Sequence, residues 1–157
     1  MSELRIEELS ASNVVAANNL SMRPGQEAFV APVSHSIAEA FVSQQTSWPR
    51  VIVMDDAVVA FVLANFDEET DSDLYRSAIL RINVDAGYQR QGVGSFAVRA
   101  VLDEARNRGF ETVTAVWEEG ELGPGKFFRA MGFVAVGETE YGEVIGHCPL
   151  SSNGLTG

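Results

Sequence analysis

Apolar residues along this chain recur in two rhythms, and the element type changes where the rhythm changes. Leu4 and Ile6 alternate with Arg5 and Glu7, which predicts a short first strand. Ser12 or Asn13 stands where it would cap a first helix running to about Asn19. The stretch 21–33 holds Pro24, Gly25 and Pro32 and is predicted to be irregular. Ile37, Ala40, Phe41 and Gln44 then follow at helical spacing, and Ser36-x-x-Glu39 reads as a capping box for that second helix.

Continuous apolar runs dominate the middle. Residues 50–54 and 58–64 flank Asp55-Asp56 and read as a hairpin of buried strands. The acidic run 67–73 reads as a solvated turn, because it lacks the glycine and closing glutamate of a calcium loop. A strand over 77–84 leads into a Gly-rich loop and then a helix from Phe96 to Arg108, with Gly109 as its C′ residue. The β-branched run 112–117 is the next strand, Lys126 to Met131 a short helix, and 133–139 with 143–148 a last hairpin across Tyr141-Gly142. The order β-α-α-β-β-β-α-β-α-β-β predicts an α/β fold with a mixed sheet flanked by helices. Strands two to four form an antiparallel meander, and one right-handed crossover leads to strand five. Residues 1–150 are expected to form a single domain and 151–157 a frayed tail.

At 157 residues the chain is long enough to bury one core. No apolar run approaches the ~20 residues of a membrane helix, so no membrane role is expected. Cys148 is the only cysteine, and residues 1–5 lack the basic start of a signal peptide; a cytoplasmic protein is the expectation. Acids outnumber bases 22 to 11, which argues against a nucleic-acid partner and for a cationic small molecule. Six of the eleven bases, Arg90, Arg99, Arg106, Arg108, Lys126 and Arg129, fall in or after the Gly loop, suggesting a basic patch beside it.

The chemistry concentrates in Asn83 to Ser95. A strand, a Gly-rich loop and a helix N-terminus in succession aim backbone N–H groups at an anion, and Gly92 and Gly94 let a phosphate approach the backbone. A Walker A loop is excluded, because Gly94 is followed by Ser95-Phe96 with no lysine. Gly92-x-Gly94-x-x-Ala97 meets a relaxed dinucleotide fingerprint. That fingerprint, however, belongs in a repeated parallel βαβ sheet, and here a hairpin precedes it. Gln89-Arg90-Gln91-Gly92-Val93-Gly94 resembles the acetyl-CoA pyrophosphate loop of the GCN5-related N-acetyltransferases (GNAT). Phe127 to Phe133, 38 residues on when counted from Gly94 to Gly132, resembles that family's second signature, a short helix ending in Gly-Phe. Residues 26–32 and 36–40 are similar to the N-terminal signature of the spermine/spermidine (polyamine) acetyltransferase subgroup.

The resemblance implies about seven mostly antiparallel strands, acetyl-CoA as cosubstrate and no metal. Gln89, Arg90, Gln91, Gly92, Val93, Gly94 and Ser95 would hold the pyrophosphate. Backbone groups of Ile82, Asn83 and Val84 would hold the pantetheine arm, in a gap where this strand splays from the next. It places Glu27, Phe29 and Arg81 on the side of a small cationic amine acceptor, and Glu118 and Glu119 as candidate bases. The tyrosine that usually serves as general acid is replaced here by Phe128, which retains only a packing role against the cofactor. His35 and His147 lack metal-ligand spacing. A homodimer is compatible with the resemblance.

Overall fold

The computed structural model describes residues 3–21, 24, 32–121 and 123–150. Glu27, Phe29, most of the stretch expected to be irregular and the tail beyond Leu150 lie outside them.

Seven strands form one sheet: β1 (Leu4–Glu8), β2 (Ser47–Met54), β3 (Ala57–Phe66), β4 (Ser77–Val84), β5 (Thr112–Trp117), β6 (Val134–Glu138) and β7 (Val144–Pro149). Their spatial order is β1-β2-β3-β4-β5-β7-β6. Every neighbouring pair is antiparallel except β4 with β5, the one crossover pair. Helices α1 (Val14–Asn18) and α2 (Val33–Val42) precede β2, and α3 (Asp73–Arg76) precedes β4. A 3₁₀ turn (Ala86–Tyr88) and α4 (Val93–Asn107) join β4 to β5, and α5 (Gly125–Ala130) precedes β6.

The apolar runs of the middle strands follow from having both faces covered. On one face Ala60, Val62, Ala64 and Phe66 of β3 meet Ala97, Val98, Val101, Leu102 and Ala105, the inward stripe of α4. On the other, Phe61 and Leu63 meet Ala17 of α1 with Val33 and Ala40 of α2. Asp55 and Asp56 both take positive φ, 50° and 69°, as the two-residue turn of the β2–β3 hairpin demands. Pro49 is tolerated inside β2 because β1 pairs no further than Arg50, leaving the strand beyond it an edge.

Four expectations are corrected. The Ser36–Glu39 capping box does not form: α2 starts at Val33 after Pro32, a residue with no N–H to leave unpaired. Ser36 is therefore buried mid-helix, and Glu39 turns to Arg81 of β4 at 3.4 Å. Asn13 precedes α1, yet its side chain ties the preceding turn, accepting from Ser10 N and donating to Glu8 O, rather than capping. Helix α4 begins three residues before Phe96. The acidic run ends in α3, which Ser72 caps through Leu74 N and an Arg76–Asp73 ion pair closes.

The expected basic patch is thinned, because three of its six members pair with acids. Arg106 pairs with Asp103 and Arg108 with Glu104 at the far end of α4, about 20 Å from its start at the usual rise per residue. Arg129 pairs with Glu119. For Arg106 and Arg108, sequence proximity to the Gly loop did not translate into spatial proximity, because α4 carries them away, whereas Arg90 stays in the loop itself.

Candidate functional site

The site starts with a backbone irregularity. Leu63 pairs with Arg81 and Ala64 with Ile79, so Leu80 is an extra residue that bulges β4. A bulge bends its strand and ends pairing on one side. Accordingly β4 pairs with β5 only at Ala78–Thr114 and Ile79–Ala115, after which the two strands part. The gap is a cleft of about 500 Å³ walled by residues 79–84 on one side and by Val116, Trp117 and Glu118 on the other.

The Gly loop closes one end of this cleft. Asp85 shapes it, accepting from Ser21 N (2.8 Å), the Ser21 hydroxyl (3.0 Å) and Gly87 N (3.2 Å). Gln89 Nε2 donates to Val84 O and braces the loop against the strand end. Arg90 sits at φ 65° and Gly92 at φ 82°, and Gly92 is the N-cap of α4. With Gly92 left-handed, the helix opens at Val93, three residues before the start expected at Phe96. The unpaired first-turn N–H groups and the positive end of the helix dipole therefore lie at the cleft. A Cβ built at Gly92 would meet nothing within 4 Å, so space for an anion lies directly against the backbone.

Burial alone would push the Asp85 carboxyl up; the Ser21 amide and hydroxyl and the Gly87 amide outweigh it, and the net shift is downward. A lowered folded value means that ionised Asp85 stabilises the fold above the ordinary carboxylate range, and that this contribution is lost as pH falls through the lowered value. Urea unfolding between about pH 3 and 7 should show this acid loss, and Asp85→Asn should flatten it. Identical pH slopes in the two proteins would refute the assignment.

Of the residues singled out by sequence, Arg81, Ile82, Asn83, Val84, Gln89, Arg90, Gly92, Val93, Gly94, Ser95, Glu118 and Phe128 line the cleft. Gln91 does not; its side chain turns back to Gly87 O. Glu119 does not either. It meets Arg129 at 2.7 Å, and that hydrogen bond holds its carboxyl below the usual range. Sequence reading missed Trp117, Phe127 and Glu143, all in the lining. Glu143 was within reach of a register argument: Trp117 pairs with Val144, which sets Glu143 opposite Glu118.

Phe128 is packed rather than free. It stacks on Trp117 at 5.3 Å and 16°, with Phe127 and Phe133 edge-on at 5.3 Å each. Tyr75, Tyr88 and Tyr141 do not line the cleft. Among the described residues no group of three His, Cys, Asp or Glu side chains is arranged to hold a metal ion, and no helix is long and apolar enough to cross a membrane.

The sequence profile of the Acetyltransferase (GNAT) family matches residues 17–133. The chain belongs to that family. Its fold recurs among solved GNAT structures at low identity. The ribosomal-protein-S18-alanine N-acetyltransferase from Escherichia coli is 20% identical, with TM-score 0.67 and 97% of each chain covered. A GNAT acetyltransferase from Elizabethkingia anophelis with acetyl-CoA bound is 13% identical, with TM-score 0.67, covering 94% of this chain and 98% of that one. The PaiA N-acetyltransferase from Thermoplasma acidophilum in complex with coenzyme A is 12% identical, with TM-score 0.70, covering 94% and 99%. No curated protein matches the sequence. The mixed seven-stranded sheet with its single parallel pair is thus the GNAT fold, and the seam between β4 and β5 is where this member opens.

Proposed function

We propose that the protein is an acetyl-CoA-dependent N-acetyltransferase whose acceptor is a small cationic amine, with polyamines the first class to test. The observation that carries this is the continuity of the parted β4–β5 seam with the Gly loop at the start of α4. Acetyl-CoA supplies an activated acetyl thioester. The chain's N–H groups at 89–95 would hold its pyrophosphate, as the open space over Gly92 allows. Peptide groups of β4 past the bulge, no longer paired with β5, would take the extended arm, and one N–H there would polarise the thioester carbonyl. Glu118, in the cleft wall, would take a proton from the acceptor's ammonium, directly or through water, so that the neutral amine can attack the thioester. Glu143 opposite it adds negative charge that favours a cationic acceptor. A chain with one cysteine and this cosubstrate suits a reducing cytoplasm. Release of CoA from acetyl-CoA with spermidine or a related diamine is the expected result; no turnover across a broad amine panel would refute the reading.

Phe128 favours a second reading, an acyl-CoA-binding module without catalysis, since a phenyl ring cannot protonate a departing thiolate. A thiol of pKa near ~8.5 leaves readily as the anion, so the first reading survives the substitution. Phe128→Tyr places a hydroxyl on the ring that lines the cleft. It should raise kcat about tenfold or more if only the acid is wanting. CoA binding with no turnover in either protein would establish the second reading.

A further inference from the structure

Glu118 and Glu119 are consecutive, and the chain sends them to different places. Glu118 lines the cleft, whereas Glu119 reaches Arg129 of α5 through two contacts, Nη2 to Oε2 at 2.7 Å and Nη1 to Oε1 at 3.4 Å. The same guanidinium stands 5.4 Å from the Trp117 ring centroid, and Trp117 stacks on Phe128. Gly125 makes the arrangement possible. A Cβ there would lie 2.8 Å from Glu119 Oε1, 2.9 Å from Arg129 Nη1 and 3.0 Å from Trp117 Nε1, so carboxylate, guanidinium and indole converge on a surface that only glycine leaves open. The chain leaving β5 is therefore pinned at Glu119, the second residue after Trp117, to the helix that supplies Phe127 and Phe128.

We propose that Glu119 and Arg129 form a latch that positions the Glu118 carboxylate in the cleft, Glu119 acting as a positioning residue and not as a base. The proposal rests on the reading of Glu118 as the base that meets the acceptor amine. An exposed ion pair contributes little to global stability. Its effect here is geometric: freeing Glu119 lets the loop move and carries its neighbour's carboxylate out of register with the acceptor. Small displacements of that kind are costly to rate and acceptor affinity while leaving the cofactor loop untouched.

The test compares wild type, Glu119→Gln, Arg129→Met, the exchange Glu119→Arg with Arg129→Glu, and Asp103→Asn. The last breaks a surface ion pair of similar length on α4, away from the cleft. Each single latch variant should raise the amine KM or lower kcat about tenfold. CoA affinity and Tm should stay at wild-type values, the exchange should restore at least half of the loss, and Asp103→Asn should change nothing. Unchanged amine kinetics, or a parallel loss of CoA affinity, would overturn the latch. If wild type turns over no amine, the proposed function fails, and amide hydrogen exchange at 117–121 decides the latch alone. Faster exchange there in Glu119→Gln supports it, and unchanged exchange overturns it.

Discussion

Gly146→Ala should lower the unfolding free energy by about 2–3 kcal/mol, a large loss for a one-methyl change. Gly146 lies in β7 opposite Ala115, and the six-membered ring of Trp117 covers its α-carbon. An added Cβ would sit 2.5 Å from Cη2 and Cζ3 of that ring and 3.5 Å from Phe133 Cβ. Trp117 cannot retreat, because Phe128 is stacked on it and Phe128 is in turn wedged between Phe127 and Phe133. The strain must move either β7 or the aromatic stack, and the stack is part of the cleft wall. Chemical denaturation should show the lower midpoint, and CoA affinity should fall with it. A variant within about 0.5 kcal/mol of wild type would mean that the ring is free to move.

Gly94→Val should reduce CoA affinity by about a hundredfold while leaving the protein folded. Gly94 lies in the first turn of α4, where helical φ and ψ suit any L-residue, so no backbone strain is involved. Its α-carbon instead faces the cleft across from the Phe127 ring, whose Cε1 and Cζ would lie 3.3 Å from a Cβ, with Val84 Cγ2 at 3.7 Å. A branched side chain would press on the Phe127 ring and Val84 and shift the start of α4, displacing the N–H groups proposed to hold the pyrophosphate. Calorimetric titration with CoA reads the loss directly. Wild-type affinity in a folded Gly94→Val protein would remove the loop from the binding site. Both substitutions act through the absence of a side chain, but one glycine protects the core and the other the start of α4.

The strands that frame the cleft were legible because their signals are local. Residues 77–84 and 112–117 are β-branched or apolar runs, the first ended by Asp85 and the second by two glutamates, and both bounds agree with β4 and β5. What sequence patterning lost was each place where a tertiary partner overrode a local preference. Ser36 looked like a cap until Pro32 took the helix start. The first turn of α4 was hidden because Gly92 at its N-cap and Gly94 within it are poor helix formers. Glu118 and Glu119 looked equivalent; only the alternation past Trp117 and a partner ten residues away, Arg129, separate them. The bulge at Leu80 has no residue signature, since any side chain can occupy such a position. The splay it causes was anticipated through family likeness alone.

That last point bears on how such a site persists through evolution. The cleft is opened by the path of the main chain, and the groups it presents along β4 are peptide groups common to every sequence. Selection then acts on the shape of a strand and on a few positions where bulk is forbidden, and it leaves most side chains around the seam free to drift. Solved relatives that share 12–20% of residues with this chain nevertheless superpose on it with TM-scores of 0.67–0.70. In the proposed reading, acceptor preference rests on side chains such as Glu118 and Glu143, which such a main-chain frame leaves free to vary.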